Sequence, residues 1–548
     1  MITITIKGQE SREVEQGTTL QALCDMCTFP RPILLAKVNN ELKELHNQLL
    51  YDCSVEFLDI SDANGYRAYQ RSVSFLMIYA VKAVLGNSRV VIAHSINNNY
   101  YCELPDSQEP VTDDLLAEIE TIMRKAVEND LPIEKFSFPL EKGLRIAAEM
   151  GMNDKVELLK YRRTSSVNFY RIDKVYGYFY GQMAPRTGCL TAFKLTKRLN
   201  KKSSGFLLQF PAASHDYELA EAAPATKISE VFAESNHWAR VLKIDTVGSL
   251  NNKLCTDGIG EVIRVTEALH EKKIAHLADQ IMNDHKRIVL IAGPTSSGKT
   301  TFASRLSVQL RVNGAMPYVI SLDNYYVDRE KTPKDADGNY DFETIDALDV
   351  DQINQDLGAL LKGETVQLPT YNFLTGKREY KDNYLTLRPD DVLIMEGIHG
   401  LNEAIGKSVP RGDTFRIFIS ALTQINVDDH NRIPTKDTRL VRRIVRDHQF
   451  RGYSAARTIE MWPSVMRGEA KYIFPFQEEA DAFFNSALVY EMCVLKQFAE
   501  PLLFGIDNSL PSYTEAMRLI KFLDGFLGAS SEMVPQNSIL REFVGGRC

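Results

Sequence analysis

Cysteine is scarce, with eight in 548 residues. Cys24 and Cys27 form a CxxC pair, but no second pair or nearby histidine completes a metal set. The pair is therefore expected to pack on the inner face of a short helix. Long apolar runs are missing too. The longest, 75–85, is broken by Lys82 and is too short to span a bilayer. The opening residues 1–7 alternate apolar and polar side chains like a strand, unlike a secretory leader. These absences set the expectation of a cytoplasmic chain with no membrane partner. A surplus of basic charge is also absent. Lys and Arg number 64 against 72 Asp and Glu, a net charge of −8, so no broad positive field argues for a nucleic-acid partner. Only residues 1–215 leave room for one. The apolar fraction of 44% and charged fraction of 25% are those of an ordinary globular chain. The length exceeds what one core can fill, so several domains are expected.

The most informative stretch is Gly293-Pro294-Thr295-Ser296-Ser297-Gly298-Lys299-Thr300, followed by Thr301. It fits the phosphate-loop pattern G-x-x-x-x-G-K-[S/T]. An apolar, β-branched run at 287–292 precedes it and reads as a buried strand. Phe302, Leu306 and Leu310 follow at helical spacing, and Gly314 reads as the stop. Residues 293–301 are expected to bind ATP: loop N–H groups and the helix N-terminus cradle phosphates, Lys299 reaches the outer ones, and Thr300 ligates Mg²⁺.

From 287 to 490 strands and helices alternate, which predicts a parallel sheet with helices on both faces. Ligands gather at the carboxyl ends of such strands. Asp323 ends the run 317–322 and Glu396 ends the run 391–395. A carboxylate there is costly unless it serves a site or a cation; a helix cap is the alternative for either one alone. Phosphoryl transfer assigns the roles. Thr300, Glu396 and Asp323 are the expected Mg²⁺ set, Asp323 the acceptor of the hydroxyl proton, and Arg439, Arg442, Arg443, Arg446 and Arg451 the charge-neutralising group. Residues 439, 443 and 446 share a helical face; a solvated basic face is the alternative reading.

Taken in order, residues 1–61 read as a small β-rich module. An opening hairpin, Gly17-Thr18-Thr19-Leu20, Ala36-Lys37-Val38-Asn39 and Val55-Glu56-Phe57-Leu58 resemble the TGS domain, a β-grasp module at the front of threonyl-tRNA synthetases. Residues 62–215 are similar to the second additional, α+β domain of those synthetases, where misacylated tRNA is edited. That family places H-x-x-x-H and C-x-x-x-H ligands where this chain has Phe75, Tyr79, Phe179 and Met183. Editing needs titratable or ligating groups, so no editing chemistry is expected. His94 and His215 read as structural histidines. Residues 216–286 read as a helical connector, with the apolar pattern of 259–282 suited to a domain junction. Residues 491–548 form a helical tail whose Ile539, Leu540, Phe543 and Val544 pack back on the body or make a subunit contact; a homo-oligomer stays open.

Residues 287–490 resemble the uridine kinase and phosphoribulokinase family. The resemblance rests on the phosphate loop, Asp323-Asn324-Tyr325-Tyr326, Tyr340-Asp341-Phe342-Glu343, Pro369-Thr370-Tyr371-Asn372-Phe373, Glu396-Gly397-Ile398 and Arg442-Arg443-Ile444-Val445-Arg446-Asp447. It implies ATP-dependent phosphorylation of a sugar hydroxyl, with uridine or cytidine the first guess. The implied catalytic set is Asp323, Lys299, Arg443 and Arg446. Glu343 would bind the ribose, Tyr371 and Phe373 would line the base pocket, and Arg378 and Arg451 would contact the acceptor. Three positions depart from the family. Glu343-Thr344-Ile345 stands for D-H-P, Gly376 for a base-reading His, and Arg451-Gly452-Tyr453 for R-G-R, with Arg457 a turn later as a substitute. A kinase for another sugar or polyol is the first alternative. An RNA- or ribosome-associated NTP-dependent regulator is the second.

Overall fold

The computed structural model describes the chain apart from residues 97–98, 108–109, 201–202, 213–216, 220–226, 228–230, 232–233, 235–237, 240, 257, 336–337, 408 and 547–548. His215 lies outside the described residues.

Ile2, Ile4 and Ile6 alternate with Thr3 and Thr5, and the strand Ile2–Ile6 accordingly buries one face and wets the other. It pairs antiparallel with Arg12–Val14 and parallel with Cys53–Leu58; Leu35–Val38 and Glu41–Lys43 complete a five-stranded sheet. The helix Leu20–Asp25 crosses it, with the Thr19 side chain accepting from the Ala22 N–H. Cys24 packs in this core, where burial pushes its thiol up to about 12. Both Cys24 and Cys27 are free. A thiol held protonated is a poor nucleophile.

The next helix is Ala63–Leu85. Asn64 and Gly65, a turn signal in sequence, form its first turn because the Asp62 carboxylate accepts from both their N–H groups. Gly65 is required there, since a Cβ would sit 1.8 Å from the Asp59 carbonyl. Two antiparallel sheets follow. One orders Lys194–Asn200, Ser203–Gln209, Asn99–Glu103 and Val91–Ile96; the other orders Val175–Gly177, Ser166–Ile172 and Glu134–Pro139.

The C-terminal sheet is wholly parallel, in the order Met316–Ser321, Asp391–Glu396, Ile288–Ala292, Thr414–Ser420, Ala482–Asn485. The strand feeding the phosphate loop is central and fully buried. A hairpin, Val366–Asn372 with Lys377–Leu385, stands apart from this sheet. The helix Ile259–Asn283 contributes Val262, Ile274 and Ile281 to a core that also holds Phe169 and Phe302. The chain is therefore one mixed α/β body whose halves share packing.

The contact between the halves is ionic as well as apolar. Lys155 is fully buried between Asp154, at 2.8 Å, and Asp428, at 3.1 Å. Arg89 clasps Asp429 through two bonds of 2.6 and 2.8 Å. The two aspartates beside Lys155 hold its ammonium charged despite burial. Removing one partner of such a set leaves a buried charge unanswered, typically at about 3–5 kcal/mol. Lys155→Ala is expected to lower the thermal unfolding midpoint accordingly. An unchanged midpoint would show that the aspartates find another partner or a proton.

Candidate active site

The phosphate loop needs backbone conformations that favour glycine. Gly298 has φ +84°, and Ser296 is itself left-handed at φ +58°. A Cβ at Gly293 would sit 2.2 Å from the Ile419 carbonyl, so the loop also hugs the neighbouring strand. Its carbonyls are held from beneath. Arg439 Nε donates to the Thr295 carbonyl at 3.0 Å, and Arg442 Nη1 to the Ser296 carbonyl at 3.2 Å. Each guanidinium is buried and answered by a buried carboxylate, Glu469 for Arg439 and Glu491 for Arg442. These two arginines, expected among the charge-neutralising group, are thus committed to the loop's own backbone. The helical-face argument missed this because it counted the face and not what lay beneath it.

The loop's donors face the other way. The Ser296 and Ser297 hydroxyls are buried without a partner. Such orphans are unusual, and phosphate oxygens would satisfy them. Two carboxylates meet the N–H groups of Thr295 and Thr301. Glu469 Oε1 accepts from the Thr295 N–H at 3.0 Å. Glu542 Oε2 accepts from the Thr301 N–H at 3.3 Å and its hydroxyl at 2.8 Å. Glu542 comes from the tail, which packs Ile539 directly over Gly298. Lys299 Nζ folds onto the carbonyls of Gly293 and Pro294, at 2.9 and 3.2 Å.

Thr300 Oγ1 lies 3.1 Å from Glu396 Oε1. Burial pushes Glu396 up to about 7, and Asp323 nearby adds to the shift. Asp323 is likewise raised by burial, opposed by Lys299, Arg451 and Arg446. This hard-oxygen set beside orphaned phosphate-loop hydroxyls suits a magnesium ion that keeps phosphate and water as further ligands.

Asp447 gathers the other arginines. Arg443 Nε bonds it at 3.1 Å, Arg446 Nη2 at 2.8 Å, and Arg451 lies at 3.7 Å. Glu343 is pushed up to about 7 by burial first and by Glu469 second, and its Oε2 has no partner. Tyr326, which feels the Glu343 charge, belongs to an aromatic cluster with Phe342, Tyr371 and Phe373, in which the Tyr371 and Phe373 centroids are 5.1 Å apart. So Lys299, Asp323, Glu396, Arg443, Arg446, Arg451 and Glu343 act on one another electrostatically in one site.

Arg378 departs from its expected place at the acceptor. Hairpin alternation turns it to Asp349, 2.8 Å away, so its charge is already answered. Gly376 turns the hairpin at φ +69°, and a Cβ there would press on Arg329 at 2.9 Å. A histidine would be strained at that position. Arg457 lies over the Tyr453 ring, 4.3 Å from its centroid.

Glu469 and Glu542 went unread in the sequence. Glu469 had a signal, since it extends the buried stripe of Ile459, Trp462 and Val465 on the helix Ala455–Tyr472. A carboxylate on an apolar stripe asks for a buried partner. In the N-terminal half, Phe75 and Phe179 pack with centroids 5.5 Å apart beside buried Met183. Apolar rings fill the volume that ligands would need.

Residues 288–491 match the Phosphoribulokinase / Uridine kinase family. The C-terminal half thus carries a P-loop kinase domain of that type. The N-terminal region is similar to threonine–tRNA ligases. It is 29% identical over 198 residues to that of Acetivibrio thermocellus, covering 36% of this chain and 31% of the ligase. It is 29% identical over 201 residues to that of Clostridium tetani, with the same two shares. The chain spans about a third of the length of these ligases. A solved structure described as a "Possible Uridine Kinase from Bacillus stearothermophilus" is 20% identical, with a TM-score of 0.27, over 39% of this chain and 98% of that one.

Two outcomes follow. Glu396 titrates near 4.5 when unfolded and about 7 when folded. Between those values the unfolded state holds fewer protons, so stability falls as pH rises and stays reduced above the window. Glu396→Gln is expected to raise the thermal midpoint of the nucleotide-free protein at pH 8 and to change it little at pH 4. An equal shift at both pH values would remove this account. Separately, phosphate-loop N–H groups cradle the α- and β-phosphates, so Glu542 competes with nucleotide at Thr301. Glu542→Gln is expected to tighten ADP binding by calorimetry about tenfold, or ~1.4 kcal/mol. Unchanged affinity would mean that the tail and nucleotide do not compete.

Proposed function

We propose that the chain transfers the γ-phosphate of ATP to the 5′-hydroxyl of a uridine- or cytidine-type nucleoside. The observation that carries the reading is Asp323, half-buried just beyond a strand end and opposed there by the charges of Lys299, Arg451 and Arg446. A base whose proton affinity is raised toward working pH is better matched to a hydroxyl proton. In the proposed step Asp323 takes that proton as the acceptor oxygen bonds to the γ-phosphorus. The bond from that phosphorus to the bridging oxygen breaks, and the electron pair leaves with ADP. Lys299, Arg443 and Arg446 neutralise charge spreading over the transferred group. Thr300 and Glu396, with Asp323 beside them, would hold magnesium, which would supply positive charge against the phosphate tail. Glu343 and that aromatic cluster receive the sugar and base. The N-terminal half, a TGS-like module followed by the synthetase-like domain, has no editing chemistry in this reading, since Phe75, Phe179 and Met183 carry no group that could supply it.

Gly376 supports a second reading. The hairpin turn has no base-reading side chain at that position, which favours a kinase for a different sugar or polyol. ADP release from ATP against a panel of nucleosides and sugars, with Lys299→Ala as blank, separates the two. Asp323→Asn is expected to lower turnover by about 10²–10⁴-fold. Wild-type turnover in that variant would remove Asp323 as the base. Release with uridine or cytidine supports the first reading, and release with another acceptor alone supports the second.

A further inference from the structure

A cavity of about 790 Å³ lies where the two halves and the tail meet, well within the size range of small-molecule sites. Its walls carry seven cationic side chains against Glu41 and Asp437. Three of the seven are answered. Arg518 pairs with Asp437 and Glu515, Arg67 with Glu515, and Arg439 with Glu469. The other four are Arg71, Arg432, Lys436 and Lys521. None has a carboxylate within ion-pair distance among the described residues. Arg71 Nε donates to the Gln182 carbonyl, and Arg432 Nη2 to the Ser95 hydroxyl. They come from separate parts of the fold, namely the helix Ala63–Leu85, the segment before the helix Thr435–Arg451, that helix itself, and the tail helix Tyr513–Leu523.

Like charges gathered around one cavity repel one another, and Arg71 and Arg432 are half-buried there. Neighbouring protein that strips water from Lys436 and Lys521 pushes both down to about 8, with Arg67 adding to the first and Lys135 and Arg71 to the second, although both residues remain exposed. His430, also on the wall, is held neutral by burial and Lys155. No histidine charge therefore contributes. The arrangement lacks an anion of several charges. The walls also carry Tyr66, Tyr100 and Tyr180, with the Arg432 guanidinium over the Tyr100 ring, 5.2 Å from its centroid.

We propose that this cavity binds a nucleoside di- or triphosphate as a second ligand, its phosphates met by Arg71, Arg432, Lys436 and Lys521 and its base by the tyrosines. The site is distinct from the phosphate loop and does not rest on the phosphotransfer reading. It touches the loop through one side chain: Arg439 lines the cavity and holds the Thr295 carbonyl.

The test is calorimetric titration of the full chain with inorganic tripolyphosphate and with the di- and triphosphates of adenosine, guanosine, cytidine and uridine. Three proteins are compared: wild type, Lys299→Ala, and Lys436→Ala with Lys521→Ala. The expected result is two sites in wild type. The cavity site survives Lys299→Ala. It weakens at least tenfold in the double variant, whose phosphate-loop site stays intact. Neither lysine has an ion-pair partner among the described residues, so the double variant is also expected to keep or raise the ligand-free thermal midpoint through relieved repulsion. A single site for every probe, abolished by Lys299→Ala and untouched by the double variant, would overturn the proposal. So would a lowered ligand-free midpoint, because the lysines would then be answered within the protein.

Discussion

Two buried guanidiniums hold the phosphate loop by its carbonyls, and the geometry of the site depends on that grip. Arg439 and Arg442 bond the Thr295 and Ser296 carbonyls from one side. The peptide planes are thereby oriented with their donors toward the opposite side, where phosphates belong. The grip is sound only because Glu469 and Glu491 answer the two charges within the protein interior. Glu469 does more, since it also accepts from the Thr295 N–H. One carboxylate thus ties the helix Ala455–Tyr472 to both the arginine and the loop.

The same helix reaches Glu343. Gly468 comes so close to Glu343 that a Cβ would lie 2.3 Å from the Glu343 Cβ. A single helix therefore fixes the spacing between the phosphate loop and Glu343, the carboxylate proposed to bind the sugar. Preorganisation of this kind matters in phosphoryl transfer, where the protein contributes position and charge more than covalent chemistry.

The parts legible in sequence were those governed by local rules. Alternation gave the strand Ile2–Ile6, and the phosphate-loop pattern gave both the strand before it and the helix after it. Asp323 and Glu396 were legible because carboxylates at the ends of buried strands stand out. What stayed hidden depends on contacts between distant residues. No local pattern distinguishes Arg442, bound to loop and Glu491, from Arg443, bound to Asp447. Arg378 reads as a free cation until the hairpin register points it at Asp349. Glu542 lies in a tail whose apolar residues show that it packs but not where. The start of the helix at Ala63 is hidden in the same way, because Asn-Gly signals a turn unless a cap such as Asp62 claims it.

The tail helix Tyr513–Leu523 joins pieces that are far apart along the chain. Thr514 bonds the Asn40 carbonyl, Arg67 pairs with Glu515, and Arg518 clasps Asp437. The first of these closes a loop of 474 residues. Contacts of such long range form late, after units built on nearer contacts have folded. The tail therefore docks on surfaces built by the rest of the chain, and Glu542 reaches Thr301 only with the tail in place.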